Sequence, residues 1–163
     1  MVYIIHIYVD GGCRRNGQSD SIGAAAAVFR HRFGAYWRAS TVDLPDSPPP
    51  TNQRAEITAI IIGLEKALEK IEELHSNPKI RVVIHSDSDY AIKCMTTWVY
   101  KWCRNGWTNS RGKPVANEDL IQRASNLDDD LRKLARVKYK WIPREENGRA
   151  DWLANRAMDT QLE

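Results

Sequence analysis

Two short runs of β-branched and aliphatic residues, each ending in an acid, flank one long amphipathic helix. No other feature restricts the fold as much. The first run is Val2-Tyr3-Ile4-Ile5-His6-Ile7-Tyr8-Val9-Asp10, followed by Gly11-Gly12. The second is Ile80-Arg81-Val82-Val83-Ile84-His85-Ser86-Asp87. Such side chains suit a pleated, buried surface, so both runs read as strands. Between them Ile57, Ile60, Ile61, Leu64, Leu68 and Ile71 recur at the spacing of one helical face. Strand, long helix, strand is a crossover, which makes the two strands parallel. Side by side, they bring Asp10 and Asp87 out at one carboxyl edge, where open α/β sheets bind ligands. Taken alone, Asp10 has an ordinary reading as a turn acid opening a loop with its glycines.

Ile22 to Phe29 and Tyr36 to Val42 read as further strands, joined to the first by short loops and therefore antiparallel to it in a meander. A polar loop is expected from Cys13 to Ser21. Three consecutive prolines, Pro48 to Pro50, keep helix from starting before Thr51 or Asn52. Glu56 stands at the border of that helix's apolar stripe, and Gly63 allows close approach to a sheet. Tyr90 to about Arg104 is predicted helical, in one or two pieces. Asn105 to Pro114 is a polar, basic and aromatic loop. Asn117 has the chemistry of an N-cap for a helix over roughly Glu118 to Arg136. Val137 to Ile142 alternates as a fifth strand, and Ala150 to Ala157 reads as a last helix. The expected class is α/β: a five-stranded mixed sheet, strands 1–3 antiparallel, 4 and 5 parallel to 1, helices on both faces, one domain over 1–163.

A chain of 163 residues, 42% hydrophobic and 28% charged, can bury a core without staples. No apolar run approaches the roughly 20 residues that span a membrane. No basic-then-apolar leader follows Met1, so an intracellular protein of cytoplasm or nucleus is expected, with no membrane partner. Cys13, Cys94 and Cys103 are odd in number and match no zinc spacing, which predicts reduced thiols used as small packing residues. A net charge of +3 permits a nucleic-acid partner without arguing for one.

Four acids stand out by context: Asp10 and Asp87 at strand ends, Glu56 early on the crossover helix, Asp151 opening the last helix. Singly, each has a structural reading. Converging carboxylates repel one another and lose hydration, so a buried cluster makes sense mainly around cations. Oxygen donors without histidine or thiolate suit Mg²⁺ or Mn²⁺. Two such ions about 3.5–4 Å apart are a recurring device for in-line attack on a phosphodiester.

With these placements, the chain resembles ribonuclease H type 1. The resemblance lies in Asp10-Gly11-Gly12-Cys13 with Asn16-Gly17, Thr51-Asn52-Gln53-Arg54-Ala55-Glu56, His85-Ser86-Asp87-Ser88, Asn105-Gly106-Trp107, and Ala150-Asp151 with Leu153-Ala154. These blocks cover nearly the whole chain in the family's order. The resemblance implies a ribonuclease H-like fold and a metal-dependent endonuclease that uses two Mg²⁺ ions, with Mn²⁺ an alternative. Such an enzyme cuts the RNA of an RNA–DNA hybrid, leaving 5′-phosphate and 3′-hydroxyl ends, and acts as a monomer. Asp10, Glu56, Asp87 and Asp151 match the family's metal-binding acids. Gly11, Gly12, Cys13, Asn16, Asn52 and Gln53 match positions along the hybrid's minor groove, where 2′-hydroxyls mark the RNA strand. Thr51 and Asn117 match a DNA-phosphate pocket, and Trp98, Trp102 and Ser110 the channel for the DNA backbone.

Other readings of the same residues stay open. Asn117 can be a helix cap, Trp98 and Trp102 core residues, and Lys93, Lys101, Arg104, Arg111 and Lys113 a solvated face rather than a basic protrusion. A non-catalytic hybrid-binding module of the same fold is the second functional reading, although a binder has no use for a repulsive acid cluster. The chain also departs from well-known members. The connection Trp141 to Asp151 is short and lacks the histidine they carry there, as in a shortened Pro-Arg-Glu-x-Asn form of the family. Slower or Mn²⁺-favouring turnover is therefore expected, and Pro48-Pro49-Pro50 predicts a weaker phosphate pocket.

Overall fold

Pairing partners, rather than the hydrophobic run alone, set the length of the first strand. The computed structural model describes residues 2–31 and 35–163. Among them β1 (Val2–Arg14), β2 (Ile22–Arg30), β3 (Tyr36–Asp43), β4 (Lys79–Ser86) and β5 (Arg136–Trp141) form one sheet in the order β3-β2-β1-β4-β5. β1–β2 and β2–β3 are antiparallel, β1–β4 and β4–β5 parallel, as expected. The parallel pairing of β1 stops at Val9↔Ser86, whereas its antiparallel pairing runs on to Arg14↔Ile22. Cys13 and Arg14 thus continue a strand where a loop was expected. Asp10 is not the strand's last residue; it is the first one past the end of β4.

Alternation along β1 directs two helices to opposite faces. Ile5, Ile7 and Val9 are buried against α1 (Asn52–Glu72), whose Ile57, Ile60, Ile61 and Leu64 are also buried. A methyl at Gly63 would come within 2.9 Å of Val9 Cγ1, so the missing side chain does set the helix–sheet distance. Gly11 lies on the same face, where a methyl would overlap the Ala55 carbonyl. Gly12 points the other way, toward Met158 of the last helix. That helix runs over Gly148–Gln161, well beyond the predicted Ala150 to Ala157 at both ends.

The helical stretch after β4 is α2 (Asp89–Lys93), a π turn (Cys94–Trp98) and α3 (Val99–Arg104), so the pieces abut through a wide turn. The next helix, α4 (Glu118–Arg132), stops short of the predicted Arg136. The amides of Leu134 and Ala135 both donate to the Leu131 carbonyl, closing the helix and freeing Arg136 to pair with Arg81 at the start of β5. The last helix is α5 (Gly148–Gln161). Cys94 packs in the core, but Cys103 is exposed and does no packing there, contrary to expectation. Among the described residues no helix is long and apolar enough to cross a membrane.

Candidate active site

The offset between β1 and β4 gathers the acids. Asp10 stands where β4 has ended, Asp87 follows the last residue of β4, and Glu56 sits in the second turn of α1. Thr51 Oγ1 caps that helix by accepting from Arg54 N at 3.1 Å. Gly11 lets the helix backbone at Ala55 and Glu56 press directly on β1. As a result, carboxylate oxygens of Asp10, Glu56 and Asp87 lie within 4.8 Å of one another. Asp151, in the first turn of α5, is outside this group of three but lines the same cleft.

Burial and mutual repulsion disfavour ionisation of the cluster. Burial first, then the Glu56 and Asp87 charges, push Asp10 up to about 10. Burial and the Asp87 charge raise Glu56 to about 8 against lowering contacts from Asp10, the Gly11 backbone and Arg144. Asp87 is raised by burial as well, opposed by hydrogen bonding from Asn147 and by the Arg144 charge. Glu56 Oε2 and Asp87 Oδ2 are buried with no hydrogen-bond partner among the described residues. A carboxylate oxygen left this way is costly unless a cation or proton meets it.

The acid cleft, about 550 Å³, also opens on Gly11, Gly12, Cys13 and Asn52. Asn16 reaches its edge, its Oδ1 accepting from Asn52 N at 3.2 Å. A second cleft, about 400 Å³, is lined by Gln53, Trp98, Trp102 and Ser110 together with Tyr90 and Asn109. The rings of Tyr90, Trp98, Trp102 and Trp107 follow one another with centroids 5.8–6.2 Å apart. Trp98 and Trp102 are thus half-buried: they pack on the core and still face a cleft. Gln53 falls in this second cleft, apart from the Gly11-to-Asn52 group with which it was placed. The helix start at Asn52 and Gln53 separates the two clefts.

Asn117 does not cap α4. Its backbone is left-handed (φ 62°), and its side chain makes no cap bond. Instead its Nδ2 donates to Tyr90 Oη at 3.0 Å and Gln53 Oε1 at 3.3 Å, and its Oδ1 accepts from Arg54 at 3.4 Å. Through Arg54 it is linked to the turn that Thr51 caps. Lys101, Arg104, Arg111 and Lys113 are exposed around the aromatic cleft, while Lys93 pairs with Asp89 at 2.8 Å.

Two residues with a bearing on the site were not singled out from sequence. Arg144, in a 3₁₀ turn (Arg144–Glu146), lines the acid cleft and lowers Glu56 and Asp87. Its one signal was its place in the Pro-Arg-Glu-x-Asn pattern of the short connection before Asp151. Asn147, the asparagine of the same pattern, is buried beside the acids, and only that pattern marked it. His85, two residues before Asp87, packs on the sheet face away from α1, stacked on Tyr8 (4.2 Å) and bonded to His6 Nδ1 at 3.1 Å. Burial, then the neighbouring charges of His6, Lys140 and Arg30, pull it down to about 4, so it is a neutral core histidine.

Comparison with known proteins adds the lineage. Residues 3–159 match the family described as RNase H. A ribonuclease H of Thiobacillus denitrificans is 35% identical over 159 residues, covering 95% of this chain and 93% of that one. The fold is similar to that of LC11-RNase H1 in complex with RNA/DNA hybrid (TM-score 0.70, 23% identity, 98% of this chain and 99% of that one). It is also similar to part of a foamy viral protease-reverse transcriptase in complex with RNA/DNA hybrid (TM-score 0.75, 22% identity). There the match covers 94% of this chain and 20% of the viral one.

Proposed function

The chain belongs to the ribonuclease H family, and from that premise we propose that it is an endonuclease hydrolysing the RNA strand of RNA–DNA hybrids. Its products are 5′-phosphate and 3′-hydroxyl ends. The observation that carries this reading is the convergence of Asp10, Glu56 and Asp87 within 4.8 Å of one another, at a cleft that Asp10, Glu56 and Asp151 line. Three carboxylates raised by burial, two of them with orphaned buried oxygens, fit a divalent cation and suit no structural purpose. The donors are oxygen alone, which favours Mg²⁺ or Mn²⁺. Asp10, Glu56, Asp87 and Asp151 would hold two such ions, which when bound supply an activated water and stabilise charge on the phosphate.

The protein's own residues do the rest. β1, β4, α1 and α5 hold the four acids at fixed spacing. Gly11, Gly12, Cys13, Asn16 and Asn52 line the approach to the acids and follow the RNA strand, reading its 2′-hydroxyls. Gln53 bridges toward the aromatic cleft. There Trp98, Trp102 and Ser110 take the DNA backbone, with Thr51 and Asn117 beside its phosphate. The basic residues around that cleft add a phosphate attraction that weakens with salt. LC11-RNase H1, similar in fold, was solved with an RNA/DNA hybrid, in keeping with this substrate.

The deciding experiment incubates the protein with labelled hybrid, duplex RNA, duplex DNA and single strands, each with Mg²⁺ or Mn²⁺. Cleavage confined to the RNA of the hybrid is expected. Binding of hybrid without cleavage in either metal would overturn the reading in favour of a binding module.

Arg144 supplies positive charge in the connection where histidine-bearing relatives carry their histidine. Arg144→Ala is expected to lower kcat on hybrid roughly 10- to 100-fold, with a smaller rise in KM, while Arg144→Lys keeps most of the rate. Steady-state kinetics on the two variants check this, and an alanine variant as fast as wild type would remove Arg144 from the mechanism.

A further inference from the structure

One uncharged side chain ties together the elements that bear the acids. Asn147 is 1% exposed and lies between the 3₁₀ turn and α5. Its Nδ2 donates to the carbonyl of Val9, the residue before Asp10, at 2.9 Å across 138 positions of sequence. Its backbone carbonyl accepts from the amide of Asp151 at 3.1 Å. Its side chain lies close enough to Asp87 to oppose the rise that burial imposes on that acid. The same residue therefore touches the backbone next to Asp10 and the backbone of Asp151.

The rest of the connection is held independently. Ile142 N donates to Ser86 O at 2.9 Å, and Trp141 Nε1 to Asp87 O at 3.2 Å, so the chain leaving β5 stays attached to β4 without Asn147. Among the hydrogen bonds described, the Val9 bond is the one that joins this connection to β1. Asparagine is suited to the place. An aspartate would add another charge to a cluster already under repulsion. Asn147 Oδ1, moreover, is buried without a partner. A residue kept for packing alone would not need to bury an unsatisfied amide oxygen, and such violations concentrate at functional sites.

We propose that Asn147 is a positioning residue for the acid cluster, fixing Asp10 on β1 relative to Asp151 on α5 through its carboxamide and its backbone carbonyl. This rests on the metal-dependent reading above. Supporting groups of this kind set the reach of a metal site, and an ångström of misplacement is enough to slow the chemistry.

The test compares Asn147→Ala and Asn147→Ser with Tyr139→Phe. The last removes the 2.7 Å bond from Tyr139 Oη to the buried Asp128, a structural contact outside the acid cleft. For Asn147→Ala, kcat on hybrid is expected to fall about 100-fold with KM nearly unchanged. Mn²⁺ binding to the protein alone, followed by calorimetry, should weaken roughly tenfold. Tyr139→Phe should lower Tm yet leave kcat and Mn²⁺ binding as they are. The proposal is overturned if Asn147→Ala keeps both wild-type kcat and wild-type Mn²⁺ affinity, or if Tyr139→Phe loses as much rate at equal distance below its Tm. Should the alanine variant not fold, the serine variant is judged by the same comparison. Failure of both to fold would assign Asn147 to stability alone and also overturn the proposal. If wild type cuts no hybrid, the functional reading falls, while the Mn²⁺ isotherms still decide the role of Asn147.

Discussion

Asp10→Asn is expected to reduce hybrid cleavage by at least about 10³-fold, the scale on which enzymes lose rate when a central catalytic group is removed. Asp10 is the most buried of the cluster acids and the one raised furthest by its surroundings. The amide keeps its shape but removes a charge that a bound cation needs. Binding of hybrid measured without metal should survive, because the groove residues are untouched and one repulsive carboxylate has gone. The same substitution should stabilise the metal-free protein, by roughly 1–3 kcal/mol, because a buried acid beside two others becomes a neutral group of equal size. Loss of cleavage with gain of stability is a combination that a purely structural aspartate would not give. Labelled-hybrid kinetics, gel shift in EDTA and a thermal melt measure the three quantities. Cleavage within tenfold of wild type, or a loss of binding as large as the loss of rate, would remove Asp10 from the site.

Hydrophobic period made the scaffold legible. Ile57, Ile60, Ile61 and Leu64 point into the core because a 3.6-residue repeat leaves them no other common direction. The crossover rule then made β4 parallel to an earlier strand, and its pairing with β1 brings Asp10 near Asp87. Features set by tertiary pairing were less legible. β1 runs past Asp10 because Ile22 and Gly23 are present to pair with Arg14 and Cys13, and nothing local to Gly11-Gly12 announces that. Asn117 has the composition of an N-cap, yet Tyr90, Gln53 and Arg54 compete for its side chain and take it. Gly11 and Gly12 invited a reading in terms of a passing nucleic-acid backbone. The Ala55 carbonyl already requires Gly11 to be glycine, whereas Gly12 meets only the flexible end of Met158.

Two clefts on either side of one helix start give the molecule a division of labour. The acid cleft carries charge that must be neutralised before any phosphate can enter. The aromatic cleft has rings and exposed cations with no acid among its lining residues. On the proposed function, a hybrid would lie with its scissile strand over the acids and its other strand over the rings. Gln53 and Asn117 are hydrogen-bonded to each other at the boundary between them.

Without divalent metal, the protein should lose stability as pH rises, the reverse of what most carboxylates impose. Asp10 and Glu56 have ordinary values of 3.8 and 4.5 and are raised to about 10 and about 8 in the fold. Below the unfolded values both states hold these protons, so the folded state carries no penalty from them. Above about pH 4–5 the unfolded chain releases them while the folded chain must keep them, and the advantage of folding drains away until the folded groups ionise in turn. The loss spans the window between the ordinary and the raised values and amounts to a few kcal/mol, on the order of several degrees in Tm. Glu73 and Asp119 are lowered by Arg38 and Arg54 and act oppositely, but their contribution is lost only in more acidic solution. Mg²⁺ or Mn²⁺ should invert the trend, since it binds the ionised cluster and stabilises by mass action. The Tm gap between metal and EDTA should therefore widen from about pH 5 to about pH 9, and Asp10→Asn should flatten it. A Tm in EDTA that holds steady or rises across that window would mean the three carboxylates are not forced together. In that case the cation requirement drawn from their geometry would go with it.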